Sequence, residues 1–230
     1  MEQAIRITGF LAMLAAILFS IGDVFLLAGT ARLEDYPKLK PYEKLLSGAE
    51  KMVDFPFWRL AWGALLGVFA APLTLAGFWQ IYHGLASASP NAALPPVLIW
   101  VVTAVVGAFV HGTFYFFGEY VQALNNVSED SRPVIVEMIK RHKKILIVSY
   151  APLLLLIVVA SIWFSVLVAS GGTHFPVWMA AVNPVTLTIA WLLVKRILPR
   201  FIRDNAEGAG FNIAYFFFFL MTTITLWNSF

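Results

Sequence analysis

Apolar residues run almost without interruption through six stretches of the chain, at 7–29, 59–85, 95–124, 144–170, 176–198 and 209–227. A hydrocarbon layer of about 30 Å takes about 20 residues of helix to cross, so each run predicts a transmembrane span. Loops and spans together use nearly every position. The expected fold is therefore all-α: a polytopic membrane helical bundle of six transmembrane helices, with residues 1–230 forming a single integral membrane domain.

The polar positions between the runs predict an orientation. Lys and Arg number 16 in all, and every one but Arg6 falls in the stretches 32–59, 132–144 and 195–203. Loops two and four carry none. By the positive-inside rule the odd-numbered loops are cytoplasmic and both termini lie outside an inner (plasma) membrane. A cleaved signal peptide fits poorly, because the first run is too long for one and contains Asp23.

Two loop segments have helical patterning of their own. In 41–53, Tyr42, Leu45, Leu46, Ala49, Met52 and Val53 recur at three- and four-residue spacing, with Glu43, Lys44, Ser47, Glu50 and Lys51 opposite. This predicts a short amphipathic interfacial helix in the first cytoplasmic loop, acting as a lid or as a simple tether. Further on, Ser131 and Pro133 mark a helix start that runs through residues 141–144 into the fourth span. Pro72, Pro152 and Pro184 interrupt spans two, four and five and favour kinks.

Composition agrees with the pattern: 60% of residues are hydrophobic and 13% charged, and mean hydropathy is +0.79. A soluble domain carries about 25% charged residues. The pI of 9.2 comes from residues flanking the spans, so it argues for membrane orientation and against a nucleic-acid partner. There is no cysteine, which excludes disulfides and thiolate metal ligands.

The candidate chemistry lies in polar residues inside the apolar runs, where a charge normally faces a cavity or a partner. In the third span, His111, Tyr115, Glu119, Gln122 and Asn126 share an arc of about 80° and a length of about 22 Å. Asp23 lies within two turns of the cytoplasmic end of span one. Trp58 and Arg59 open span two, Tyr150 adjoins Pro152 in span four, and Asn212 and Tyr215 open span six. Five helices thus aim polar groups at the inner half of the membrane, which predicts one polar cavity open to the cytoplasmic leaflet.

Each residue also has a plainer reading. Asp23 and Arg59 can form a structural ion pair, Glu119 can be solvated near the interface, and His111 can be a hydrogen-bonded core histidine. No metal site is expected, since His111 is alone at depth and catalytic metals usually take three protein ligands. No cofactor motif appears either.

Gly22-Asp23, Trp58-Arg59-Leu60 and Gly208-Ala209-Gly210-Phe211-Asn212 resemble motifs of an uncharacterised bacterial family of polytopic integral membrane proteins. That resemblance implies no activity, but it implies that the three segments belong together.

The residues themselves point first to a small intramembrane enzyme using acid–base chemistry on a lipid or isoprenoid, of isomerase or cyclase type. Glu119 would be the acid, Asp23 a second carboxylate or base, and His111 and Tyr115 an orienting relay. Trp58, Arg59, Gln122, Asn126, Tyr150, Asn212 and Tyr215 would bind the substrate. A small-solute or proton-coupled transporter, or a non-catalytic lipid-binding or assembly subunit, would use the same groups differently. Membrane lipids or a hydrophobic small molecule are the expected partners, and homo-oligomerisation is left open.

Overall fold

The computed structural model describes residues 1–206 and 208–229, and its regular structure is helical. The elements are α1 (Glu2–Leu27), α2 (Glu43–Leu46), α3 (Phe57–Ala86), α4 (Pro90–Asn126), α5 (Arg132–Ala169), α6 (Pro184–Val194), α7 (Arg200–Asn205) and α8 (Gly210–Leu226). By length and composition α1, α3, α4 and α5 can each cross a membrane, while α6 and α8 are shorter apolar helices. These four helices suggest a membrane protein.

The helices pack side by side. α1 lies against α3 and α8, α3 against α4, α4 against α5, and α6 against α8. Local sequence sets several ends. Ser89 caps α4 by accepting from the Ala92 amide at 3.3 Å, with Pro90 at the first helical position. α5 begins after Ser131 with Pro133 in its first turn, though the Ser131 side chain makes no cap bond. At 38 residues, α5 is about 57 Å long and outruns a hydrocarbon layer of about 30 Å. The expected continuous helix through 141–144 is present.

The fifth apolar run is not one helix. A single tight turn covers Val177–Ala181, and Asn183 then caps α6 by accepting from the Val185 and Thr186 amides at 3.0 and 3.1 Å. Thr186 Oγ1 accepts from the Asn183 amide in return. Pro184 removes the amide that a continuous helix would bond to the Ala180 carbonyl. The 11 residues of α6 reach about 16 Å.

The segment 41–53 also departs from expectation. Its periodicity is real, but the chain breaks at Ser47 (φ 53°) and Gly48 (φ 96°) into α2 and a turn at Ala49–Met52. Two successive residues in the left-handed region end a helix. Its apolar side does not lie free: Leu39, Leu46, Ala49 and Val53 pack with Phe117, Val121 and Leu124 of α4 and Ile139 of α5.

Away from that loop the core is aromatic. The rings of Trp100, Phe164 and Phe218 meet one another at centroid distances of 5.3–5.9 Å. Phe78 stacks on Trp100 at 5.8 Å. This cluster closes one end of the bundle.

Candidate functional site

Between the aromatic cluster and the first loop, the helices enclose a cavity of about 870 Å³. On α4 its wall is Thr103, Ala104, Gly107, Val110, His111, Phe114 and Phe117, the residues of one helical face. With His111 as zero, at about 100° per residue these span about −120° to +20°. Tyr115, Glu119, Gln122 and Asn126 fall between about +20° and +80°. His111 therefore sits where the polar stripe of the third span meets the cavity face.

The imidazole occupies a slot made by missing side chains. A Cβ added to Gly22 of α1 would lie 2.9 Å from His111 Cε1 and 2.7 Å from the Gly63 carbonyl. One added to Gly67 of α3 would collide with the ring itself. Gly63 and Gly67, one turn apart, let α1, α3 and α4 come together around the ring. Phe19 meets the ring edge-on at 5.4 Å.

The slot decides where the protons are. His111 Nδ1 lies 3.3 Å from the Ala64 carbonyl, which can only accept, so Nδ1 carries a hydrogen. Nε2 lies 3.3 Å from Asp23 Oδ1, off the line a hydrogen bond requires, and has no other protein partner. A bare Nε2 lone pair against a carboxylate would repel it. A proton between them, on Nε2 or on the carboxyl, would remove that repulsion. Asn212 of α8 donates to Asp23 Oδ2 at 2.6 Å and fixes the carboxyl from the other side. His111 is 8% exposed and the Asp23 side chain 13%. Both face the cavity, as do Asn212, Tyr150 and Tyr215. Tyr150 lies within electrostatic reach of Asp23, and Tyr215 reaches the Thr103 side chain deeper in.

A model for a family of unknown function, DUF6796, matches residues 1–229. The chain belongs to that family. No curated protein and no solved structure matches it. The family's span runs through every helix that lines the cavity, from α1 to α8.

The remaining residues singled out in the sequence have other surroundings. Arg59 does not pair with Asp23; it donates to the carbonyls of Phe25 (2.8 Å), Val24 (3.4 Å) and Ala28, which end α1. Those carbonyls lie at the C-terminal end of α1, the negative end of its dipole, so a guanidinium suits them. The Arg59 guanidinium also lies 3.6 Å over the Phe55 ring. Trp58 is exposed and meets Phe25 edge-on at 5.8 Å. Gln122 donates to the Met52 and Phe55 carbonyls at 3.1 and 2.7 Å, tying the first loop to α4. Tyr115 hydrogen-bonds Glu119 and meets Phe57 edge-on at 6.0 Å. Asn126 lies at the exposed end of α4 beside Asn125. The three resembling motifs do converge: Asp23 bonds Asn212, and Leu60 packs with Leu26 one turn beyond Gly22.

Sequence reasoning missed the slot glycines and the residues of the cavity mouth. Gly63 and Gly67 carried the signal of small residues four apart in an apolar run. Ser47, Gly48, Lys51 and Lys143 line the mouth, and nothing local to them announces a cavity. Among the described residues no group of three or more His, Asp or Glu is placed to hold a metal ion.

Proposed function

We propose that this protein is a small intramembrane enzyme that moves protons on a lipid or isoprenoid substrate held in the cavity. The observation that carries the reading is the Asp23–His111 pair, oriented by Ala64 and Asn212, facing an otherwise largely apolar space. Such a pair holds one transferable proton, and it is positioned by groups that do not titrate. The reaction is an isomerisation of allylic type. A proton passes from the pair to one carbon of a double bond, and the pair takes one back from the carbon adjoining the other, so the double bond shifts, the pair is regenerated and no oxidant or reductant is consumed. General acid–base groups of this kind contribute about 10²–10⁴-fold. Asp23 and His111 take the roles that polar patterning alone spread over Glu119 and Tyr115, which lie on the neighbouring face of α4. With the basic loops on the cytoplasmic side, the cavity mouth opens toward the inner leaflet.

The test is conversion of a membrane lipid extract by the purified protein and its variants. Asp23→Asn and His111→Gln should each lose about 100-fold or more, while Glu119→Gln should keep its rate. Full turnover by both Asp23→Asn and His111→Gln would refute the reading.

A further inference from the structure

The mouth of the cavity has a chemistry of its own. Ser47 and Gly48, both with positive φ, turn the first loop across it, and a Cβ on Gly48 would meet nothing within 4 Å. Lys143 Nζ donates to the Leu45 carbonyl at 2.7 Å and to Ser47 Oγ at 3.0 Å. Two of its three donors are thereby fixed, and the third is left for a ligand. The aliphatic stems of Lys140, Lys143 and Lys144 line a second, almost wholly apolar hollow of about 320 Å³ beside the mouth, and lysine ammonium groups on such stems reach toward polar surroundings. Among the described residues lining the two hollows, Asp23 is the single carboxylate. Positive charge is thus gathered at one end and apolar wall at the other.

Distances along α5 set the scale. The cavity wall on this helix runs from Lys143 to Ile157, about 21 Å of rise. Tyr150, which faces Asp23, stands about 10 Å above Lys143. Most of the wall between and beyond them is aliphatic or aromatic, and Phe78, Tyr215 and Phe219 form the floor. His111 is part of the channel wall, more than nine-tenths buried, with its Nε2 enclosed beside Asp23 and lacking an aligned partner.

We propose that the ligand is a single-chain amphiphile with a phosphate-like anionic head, the head held by Lys143, Ser47 and the adjoining lysines and the chain threaded past Asp23 and His111. This deepens the reading of that pair as an acid–base device and rests on it for the position of the reacting carbons, about 10 Å from the head. A lysine ammonium binds phosphate as a point charge, and the hydroxyl and turn beside it complete the seat.

The full chain in non-ionic detergent, titrated with dodecyl phosphate, dodecanol and inorganic phosphate by calorimetry, tests this. Dodecyl phosphate should bind about tenfold or more tightly than either other probe, and added salt should weaken it. Lys143→Gln should remove about tenfold of that affinity and Lys143→Arg should restore most of it. The exposed pair Lys140→Gln/Lys144→Gln should cost a smaller factor without touching the fold. Gly107→Leu, at a position where an added Cβ is accommodated, should fill the channel and abolish binding of dodecyl phosphate and dodecanol alike. Equal affinity for dodecanol and dodecyl phosphate, or for inorganic phosphate alone, would overturn the proposal and leave the acid–base reading standing. Lysine-dependent binding with undiminished turnover in Asp23→Asn would do the reverse.

Discussion

The two ends of the bundle differ in what lies beside their buried polar groups. At the aromatic end, Gln80 is 1% exposed and is matched by one partner: its amide donates to Thr223 Oγ1 at 3.1 Å, and Thr223 also donates to the Phe219 carbonyl at 2.6 Å. Neither Gln80 nor Thr223 lines the cavity, and Trp100 Nε1 and Ser161 Oγ are buried there without a partner as well, enclosed where ring packs on ring. At the loop end, Asp23, His111 and Asn212 are held as firmly, yet they border a cavity and leave Nε2 without an aligned partner. A satisfied buried pair joins helices. An incompletely satisfied one beside open volume is equipped to meet something else.

The contrast predicts a graded series of responses. The largest is expected from Trp100→Ala, which empties the centre of the aromatic end. It should cost about 3–5 kcal/mol, read as a fall in thermal midpoint in detergent. Gly67→Ala comes next, at about 1–3 kcal/mol, because the new methyl displaces the imidazole. The same variant should lose turnover out of proportion to its stability. Gln80→Leu should cost about 1 kcal/mol, since Thr223 keeps its carbonyl bond, and should leave turnover intact. Asn212→Leu should match it in stability but lower turnover about tenfold or more, because the carboxyl loses its one charge-assisted donor. If Gln80→Leu impaired turnover as much as Asn212→Leu, the distinction between the ends would fail.

The smallest effect concerns the loop that walls the mouth. Tyr36 donates to Asp54, and this bond, with the nearby Asp54 and Asp35 charges, pushes its phenol above the ordinary tyrosine value. The raised group contributes stability that is fully present below the ordinary value of about 10 and is lost as pH rises through the folded one. Tyr36→Phe should therefore flatten the alkaline limb of a stability profile while leaving its neutral plateau almost unchanged.

Much of this was legible in the sequence. Four of the apolar runs became helices long enough to cross a membrane, and Asp23, His111 and Asn212 stood out because polar groups are expensive there. The convergence of Gly22-Asp23 with Gly208–Asn212 was legible as motif resemblance alone. What misled was the third span. The arc from His111 to Asn126 is polar, but His111 is the part of it that lines the cavity, while Gln122 is tied to the Met52 and Phe55 carbonyls and Tyr115 to Glu119. Periodicity locates a face; it does not say whether that face meets a cavity or a neighbouring backbone. The first loop misled for a different reason: its spacing is helical, and only the backbone at Ser47 and Gly48 breaks it.

The central claim is that Asp23 and His111 exchange a proton with carbon on a bound amphiphile. Its most direct measurement is deuterium uptake: the purified protein is incubated with membrane lipid extract in heavy water, and the lipids are resolved by mass spectrometry. One lipid class should gain carbon-bound deuterium with the unaltered protein and with Glu119→Gln, and none should with Asp23→Asn or His111→Gln. Equal uptake in all four proteins, or none in the unaltered one, would contradict the account.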